Sequence, residues 1–232
     1  MPIFMLSIKE LSVSYGNTKV LENLSVNWKA GCVHGIVGLN GSGKTTFLNA
    51  LFGIKKKDSG TVLWKGLPLK RTDIGFLETE NFFYSRITGT EYLSLFPANL
   101  PRYNQEEWNR LFNLPLQELI ENYSTGMKQK LALMGLMKQN KPLLILDEPF
   151  NGLDMEASRV LMLILDRLRG QGTTILLTSH ILHSLTGICD YIHLLRGRKI
   201  VLTRSRDEFS ILEKDLFQEL DAGYRRIIGD IL

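Results

Sequence analysis

Gly38-Leu39-Asn40-Gly41-Ser42-Gly43-Lys44-Thr45 fits the pattern G-x-x-x-x-G-K-[ST] at every fixed position. A short apolar run, Gly31 to Val37, leads into it, and a segment with helical patterning, Lys44 to Phe52, leads out. Strand, glycine-rich turn and helix are the context in which this octapeptide is a phosphate cradle rather than a chance glycine loop. The glycines let successive backbone N–H groups turn inward, and the start of the helix adds partial positive charge. Asn40, Gly41, Ser42, Gly43 and Thr46 then surround the phosphates. Lys44 reaches the β- and γ-phosphates, and the Thr45 hydroxyl is placed to ligate Mg²⁺.

Hydrolysis needs a second element, and Leu143-Leu144-Ile145-Leu146-Asp147-Glu148 supplies it. Four apolar residues read as a buried strand, with two carboxylates emerging at its C-terminal end, the edge where open α/β sheets bind ligands. Asp147 is the candidate to hold Mg²⁺, mainly through water, and Glu148 the candidate to polarise the attacking water.

Around these two elements the chain alternates strand and helix. Ile3–Tyr15 and Val20–Trp28 alternate apolar and polar residues and read as strands, as do Gly60–Trp64 and Ile74–Leu77. In the second half, Met155–Arg169 reads as a helix, Thr173–Thr178 as a strand and Ile181–Ile188 as a short helix. A hairpin, Tyr191–Arg196 with Lys199–Leu202, turns at Gly197-Arg198, and a last amphipathic helix carries Phe209, Leu212, Leu216, Phe217 and Leu220. Such alternation implies an α/β fold with a mostly parallel sheet. From about Glu80 to Asn122 the composition shifts to aromatics and prolines, which suggests an inserted helical lobe. The helix from Ser124 to Lys138 carries Met127, Leu131, Met134 and Met137 near helical spacing, a stripe that reads as packing.

Composition narrows the class further. With 28 basic against 24 acidic residues, the net charge of +4 is too small to suggest a nucleic-acid partner. The longest uncharged stretch, Gly170 to Cys189, is too polar to span a membrane. Cys32 and Cys189 form no CxxC pair and read as reduced thiols of a cytosolic protein.

The decisive motif lies upstream of Asp147. Tyr123-Ser124-Thr125-Gly126-Met127 resembles the Leu-Ser-Gly-Gly-Gln signature of the ATP-binding cassette (ABC) superfamily, keeping its Ser and second Gly, with Lys128-Gln129 following. Asn151-Gly152-Leu153-Asp154 is similar to the D-loop of that family, and Thr178-Ser179-His180 to the strand end that carries its switch histidine. The resemblance runs from Ile8 to about Leu202. It implies a P-loop NTPase (RecA-like) core with a mostly parallel sheet, an N-terminal antiparallel β subdomain and an inserted α-helical lobe. The expected layout is a single domain, with the nucleotide-binding core in 1–78 and 140–204. The lobe with the signature would occupy about 79–139 and a helical tail 205–232.

The resemblance also implies roles. Tyr15 would stack on adenine, and His180 would touch the γ-phosphate alongside Lys44 and Glu148. Asp154 would join the nucleotide site, and Ser124 and Gly126 would close the site of a second copy in trans. His34, His183 and His193 have no such context and read as structural. Two departures stand out. The family's Gln at the end of the third strand falls on Thr79, between Glu78 and Glu80, so Thr79 or Glu80 is expected to face the nucleotide and Mg²⁺. Thr125 and Met127 resemble the variant of bacterial exporter subunits.

The expected function is an ATP-hydrolysing subunit, with ATP and Mg²⁺ as cofactors, that forms a homodimer when ATP is bound. It would serve a membrane-spanning permease on a separate chain. That places it in the cytoplasm, peripheral on the inner face of the cell membrane, with no direct nucleic-acid binding. The Phe82-Phe83-Tyr84 cluster is either the docking point for the permease or the core of the lobe. A soluble ABC ATPase in iron–sulfur assembly, or in nucleic-acid or ribosome function, is the alternative.

Overall fold

A computed structural model describes residues 4–179, 182–212 and 231. β1 (Phe4–Tyr15) and β2 (Thr18–Lys29) form a hairpin that β4 (Ser59–Trp64) and β5 (Leu67–Pro68) extend to an antiparallel sheet in the order β2-β1-β4-β5. The alternation of β1 slips after Ile8, where the register shifts and Glu10 adopts φ 51°. The extra residue bends the strand and returns Leu11 and Val13 to the face that buries Leu6 and Ile8.

The second sheet has six strands in the order β10-β9-β3-β8-β7-β6. They are β3 (Val33–Val37), β6 (Ile74–Leu77), β7 (Leu143–Leu146), β8 (Thr174–Thr178), β9 (Tyr191–Arg196) and β10 (Lys199–Ser205). All neighbours pair parallel except the β9–β10 hairpin. Six helices are described: α1 (Lys44–Phe52), α2 (Gly89–Ser94), α3 (Gln105–Asn109), α4 (Thr125–Lys138), α5 (Met155–Gly170) and α6 (Leu182–Thr186). None is long and apolar enough to cross a membrane.

Near-continuous apolar strands are what a sheet covered on both faces requires. Leu144 and Leu146 of β7 and Ile175 and Leu177 of β8 enter a cluster with Leu133 and Leu136 of α4 and Leu161 and Leu165 of α5. The alternate residues, Leu143, Ile145 and Leu176, enter a second cluster with Phe47 and Leu48 of α1 and the inner face of the antiparallel sheet. A third cluster gathers Tyr92, Phe112, Ile120 and Tyr123 around Leu131 and Met134 of α4. Met134 and Met137 of α4 are buried in different clusters, so this stripe is packing on two sides.

The helix expected over 181–188 is shorter among the described residues. Ile188 and Cys189 already turn away, their N–H groups bonded to the Leu185 carbonyl. Of the last helix, Phe209 and Leu212 are buried, while Leu216, Phe217 and Leu220 lie outside the described residues.

Candidate functional site: a phosphate cleft at the C-terminal edge of the parallel sheet

Parallel pairing brings the C-terminal ends of β3, β6, β7 and β8 to one edge. The glycine-rich loop, Thr79 and the Asp147-Glu148 pair follow three of those ends within two residues. They meet in a cleft of about 470 Å³ lined by Asn40, Gly41, Gly43, Lys44, Thr45, Thr46, Thr79 and Glu148, with Val20 and Asn151 at its sides.

The cradle is built for an anion. Gly43 holds φ 102°, a left-handed conformation, and a Cβ there would approach the Val20 side chain to 2.9 Å, so glycine is required twice over. It starts α1 with no side-chain cap and no acidic residue in the first turn. The N–H groups of that turn and the positive end of the helix are therefore left for a ligand. Ser42 Oγ is buried without a hydrogen-bond partner among the described residues, an arrangement that a phosphate oxygen would relieve. Lys44 is 8% exposed, and its ammonium donates to the Gly38 carbonyl at 2.8 Å and the Leu39 carbonyl at 3.4 Å. These loop carbonyls hold the charge over the cradle.

The opposite wall is fastened by one hydroxyl. Thr178 Oγ1 donates to Asp147 Oδ1 at 2.5 Å and accepts the Glu148 N–H at 2.9 Å. Asp147, 1% exposed, also donates its backbone N–H to the Leu77 carbonyl at 2.9 Å, which ties β7 to the strand preceding Thr79. Glu148 has φ 50°, a strained conformation for a non-glycine residue and one typical of functional sites. Among the described residues no three His, Cys, Asp or Glu side chains converge as a metal site. The donors present, one carboxylate and the Thr45 hydroxyl beside a phosphate cradle, match how Mg²⁺ is bound together with nucleotide phosphates.

Tyr15, Ser124, Gly126 and Asp154 do not line the cleft. Tyr15 is half exposed, and the Lys55 ammonium sits 3.9 Å from its ring centroid, so a cation covers one face of the ring. Ser124 caps α4, its hydroxyl accepting the Met127 N–H, and Gly126 lies against the D-loop, where a Cβ would meet the Gly152 oxygen at 2.5 Å. Asp154 caps α5 through the Ala157 N–H and pairs with Lys130 at 2.8 Å. Both contacts hold its carboxyl below the usual carboxylate range, the Ala157 N–H first. His180 lies outside the described residues, as does the side chain of His183. Thr79 lines the cleft, whereas Glu80 is exposed and does not. Val20 and the clamping role of Thr178 were not singled out by sequence reasoning, and Asn151 was read there only as part of the D-loop motif. A hydroxyl at the end of an apolar strand was the available signal for Thr178.

His34 and His193 are structural, as expected. His34 Nε2 meets the Lys29 carbonyl at 3.0 Å and must carry a proton, so its Nδ1 accepts from His193 Nε2 at 3.1 Å. His193 Nδ1 then accepts from Trp28 Nε1 and the Thr203 hydroxyl. Burial pushes His34 down to about 4 and holds His193 well below its ordinary value, with His34 as a further cause.

A phosphate cradle facing an Asp-Glu pair at the edge of a parallel sheet defines a P-loop nucleotide hydrolase. Comparison with known proteins places it more closely. A family model described as ABC transporter matches residues 21–151. The lantibiotic transport ATP-binding protein SrtF of Streptococcus pyogenes is 31% identical over 221 residues, covering 90% of this chain and 95% of its own. The ABC transporter ATP-binding protein YtrB of Bacillus subtilis (strain 168) is 30% identical over 213 residues, covering 88% and 73%. A solved ATP-binding subunit of an ABC transporter superposes with a TM-score of 0.76 at 28% identity, over 88% of this chain and 91% of that one. A dimeric ATP-binding cassette, MJ0796, bound to ADP and Pi shares the fold with a TM-score of 0.77 at 22% identity, over 87% and 99%. The chain belongs to the ABC transporter family, as a subunit that binds ATP and hydrolyses it to drive transport.

Proposed function

We propose that two copies of this chain close on two ATP molecules and drive export through a permease on a separate chain, at the inner face of the cell membrane. The observation that carries this reading is the separation of the signature from the cleft. Asn40, Gly41, Thr45, Thr79 and Asn151 of the cleft are exposed, while Ser124 and Thr125 are exposed at the start of α4 and line no part of it. A bound triphosphate would keep one open side, and the Ser124-Gly126 turn of a second copy supplies the helix N-terminus to cover it. Leu39 and Met155 are 64% and 90% exposed, beside Asn40 and Asp154, and offer apolar surface for that contact.

In the closed site Glu148 takes a proton from water as its oxygen attacks the γ-phosphorus, and the bond to the β–γ bridging oxygen breaks. Lys44 and the α1 amides hold the charge that spreads over the phosphate oxygens. Mg²⁺, held by Thr45 and Asp147, would neutralise β- and γ-oxygens. Thr79 stands where the family has Gln. Loss of the γ-phosphate removes the bridge between the copies and lets them part.

Export is supported by Thr125 and Met127 in the signature, and SrtF is by name a lantibiotic transport protein. For docking to the permease, the aromatic cluster splits. Phe83 packs against Tyr92 inside the lobe, whereas Phe82 and Tyr84, 71% and 57% exposed, stack edge to face on its surface. Those two rings are the docking candidates. Glu148→Gln is the test of the dimer: turnover should fall roughly 10²- to 10⁴-fold, and sedimentation should show a dimer with ATP and a monomer without it. A variant that stays monomeric with ATP would overturn the composite site.

A further inference from the structure

We propose that Gln129 is a positioning residue for hydrolysis, whose side-chain amide ties the Thr79 wall of the cleft to the Glu148 wall through Asn81 and the Pro149 carbonyl. The proposal rests on the assignment of Asp147-Glu148 as the hydrolytic pair. Gln129 is 6% exposed, and a polar side chain buried that deeply is costly unless both ends are bonded. Its Nε2 donates to the Pro149 carbonyl at 3.2 Å and its Oε1 accepts from Asn81 Nδ2 at 3.0 Å. The direction is forced, because a carbonyl can only accept, and this turns the Gln129 oxygen toward Asn81. Asn81 lies two residues beyond Thr79, and Pro149 directly follows Glu148.

Two further contacts fasten the same part of α4 to the loop after Glu148. Gly126 packs on the Gly152 oxygen so closely that only glycine fits, and Lys130 pairs with Asp154 at 2.8 Å. The first turns of α4 and the segment 149–154 are therefore joined at three points into one packed body. Gln129 is the member of that body that also reaches the loop beyond β6. A shift of α4, whose first turn is the surface offered to the second copy, is thus delivered to both walls of its own cleft. Where the family's Gln is absent and Thr79 is short, this amide bridge supplies a side-chain link between the walls.

The test uses the full chain, with steady-state ATP turnover and equilibrium ATP binding measured together. Gln129→Leu and Asn81→Ala should each lower kcat about tenfold while ATP Kd stays within about twofold, and the double variant should be no slower than the worse single one. Gln129→Glu adds a pH signature. Its carboxylate can accept from Asn81, but only the protonated acid can donate to the Pro149 carbonyl. Its kcat relative to wild type should therefore rise as pH falls from about 8 to about 6. Near-wild-type kcat in Asn81→Ala, a flat ratio for Gln129→Glu, or a loss carried wholly by ATP Kd would overturn the proposal. If Gln129→Leu fails to fold, the other two variants still decide. Glu148→Gln, run alongside, reports the assignment of the hydrolytic pair separately: full turnover there would overturn that assignment whatever the Gln129 variants do.

Discussion

Two polar regions adjoin β3, one at His34 within the strand and one at the loop that follows it, and they are built on opposite principles. In the cluster of Trp28, His34 and His193, donors and acceptors are matched to one another, to the Lys29 carbonyl and to the Thr203 hydroxyl. In the phosphate cleft, the α1 N-terminus has no cap, the Ser42 hydroxyl has no partner among the described residues, and Glu148 holds a strained backbone. A polar group that costs stability and is left open is held for something not in the chain, whereas one closed on its neighbours is part of the core. Both regions join elements of different sheets or loops, so position alone does not separate them. Completeness of hydrogen bonding does.

Four experiments press on this contrast. Lys44→Ala removes the buried cation of the cleft and should lower kcat/KM for ATP roughly 10²- to 10³-fold, with little change in melting temperature, since no partner charge is left behind. A fall in stability without a fall in turnover would place Lys44 with the core instead.

The histidine cluster should respond in the opposite way. An unfolded histidine binds a proton near 6.5, while folded His34 does so only at about 4. The native state therefore holds fewer protons, and its stability, full above pH 6.5, is lost as pH falls toward 4. The loss from His34 alone is about 3 kcal/mol by pH 4. Thermal melts across that range should show a steep decline in wild type and a flatter one in His34→Gln, whose amide keeps hydrogen bonds but does not titrate. Identical slopes would mean that the cluster plays no part in acid unfolding.

A smaller effect is expected from Thr178→Val, which keeps the shape but removes the hydroxyl linking the Asp147 carboxylate to the Glu148 N–H. Turnover should drop about tenfold with ATP affinity near wild type; unchanged turnover would show that the strained Glu148 backbone is held by its other contacts. Smallest of all is Lys55→Ala. The ammonium over Tyr15 competes with a base for that ring face, so its removal should lower KM for ATP by up to about threefold. A raised KM would instead make Lys55 part of the nucleotide site.

Much of this contrast is legible in the sequence. The octapeptide at Gly38–Thr45 and the apolar run ending in Asp147-Glu148 are local signals, since a loop that cradles phosphate and a buried strand that ends in carboxylates are written in consecutive residues. The structural reading of His34 and His193 held because neither stood in a motif, although their pairing with each other and with Trp28 could not be read. Phe82, Phe83 and Tyr84 defeated any single reading: adjacent in sequence, they divide between the surface and the lobe core because their backbone runs irregularly between β6 and α2. Asp154 shows the same gap. Its place in the D-loop was plain, but its carboxylate caps α5 and pairs with Lys130, a residue on another helix.

The sequence by itself determined most of the element order, the phosphate-loop motif, the carboxylate pair that ends an apolar strand and the family, because each depends on residue types at short, fixed spacings. Only the tertiary structure decided which side chains bridge those elements: Thr178 between Asp147 and Glu148, Gln129 between Asn81 and Pro149, and the His34–His193 pair beneath the second sheet. Hydrogen bonds across 20 to 159 residues of chain depend on angles and distances near 3 Å. Strand pairing sets those distances and angles, and the order of residues does not express them.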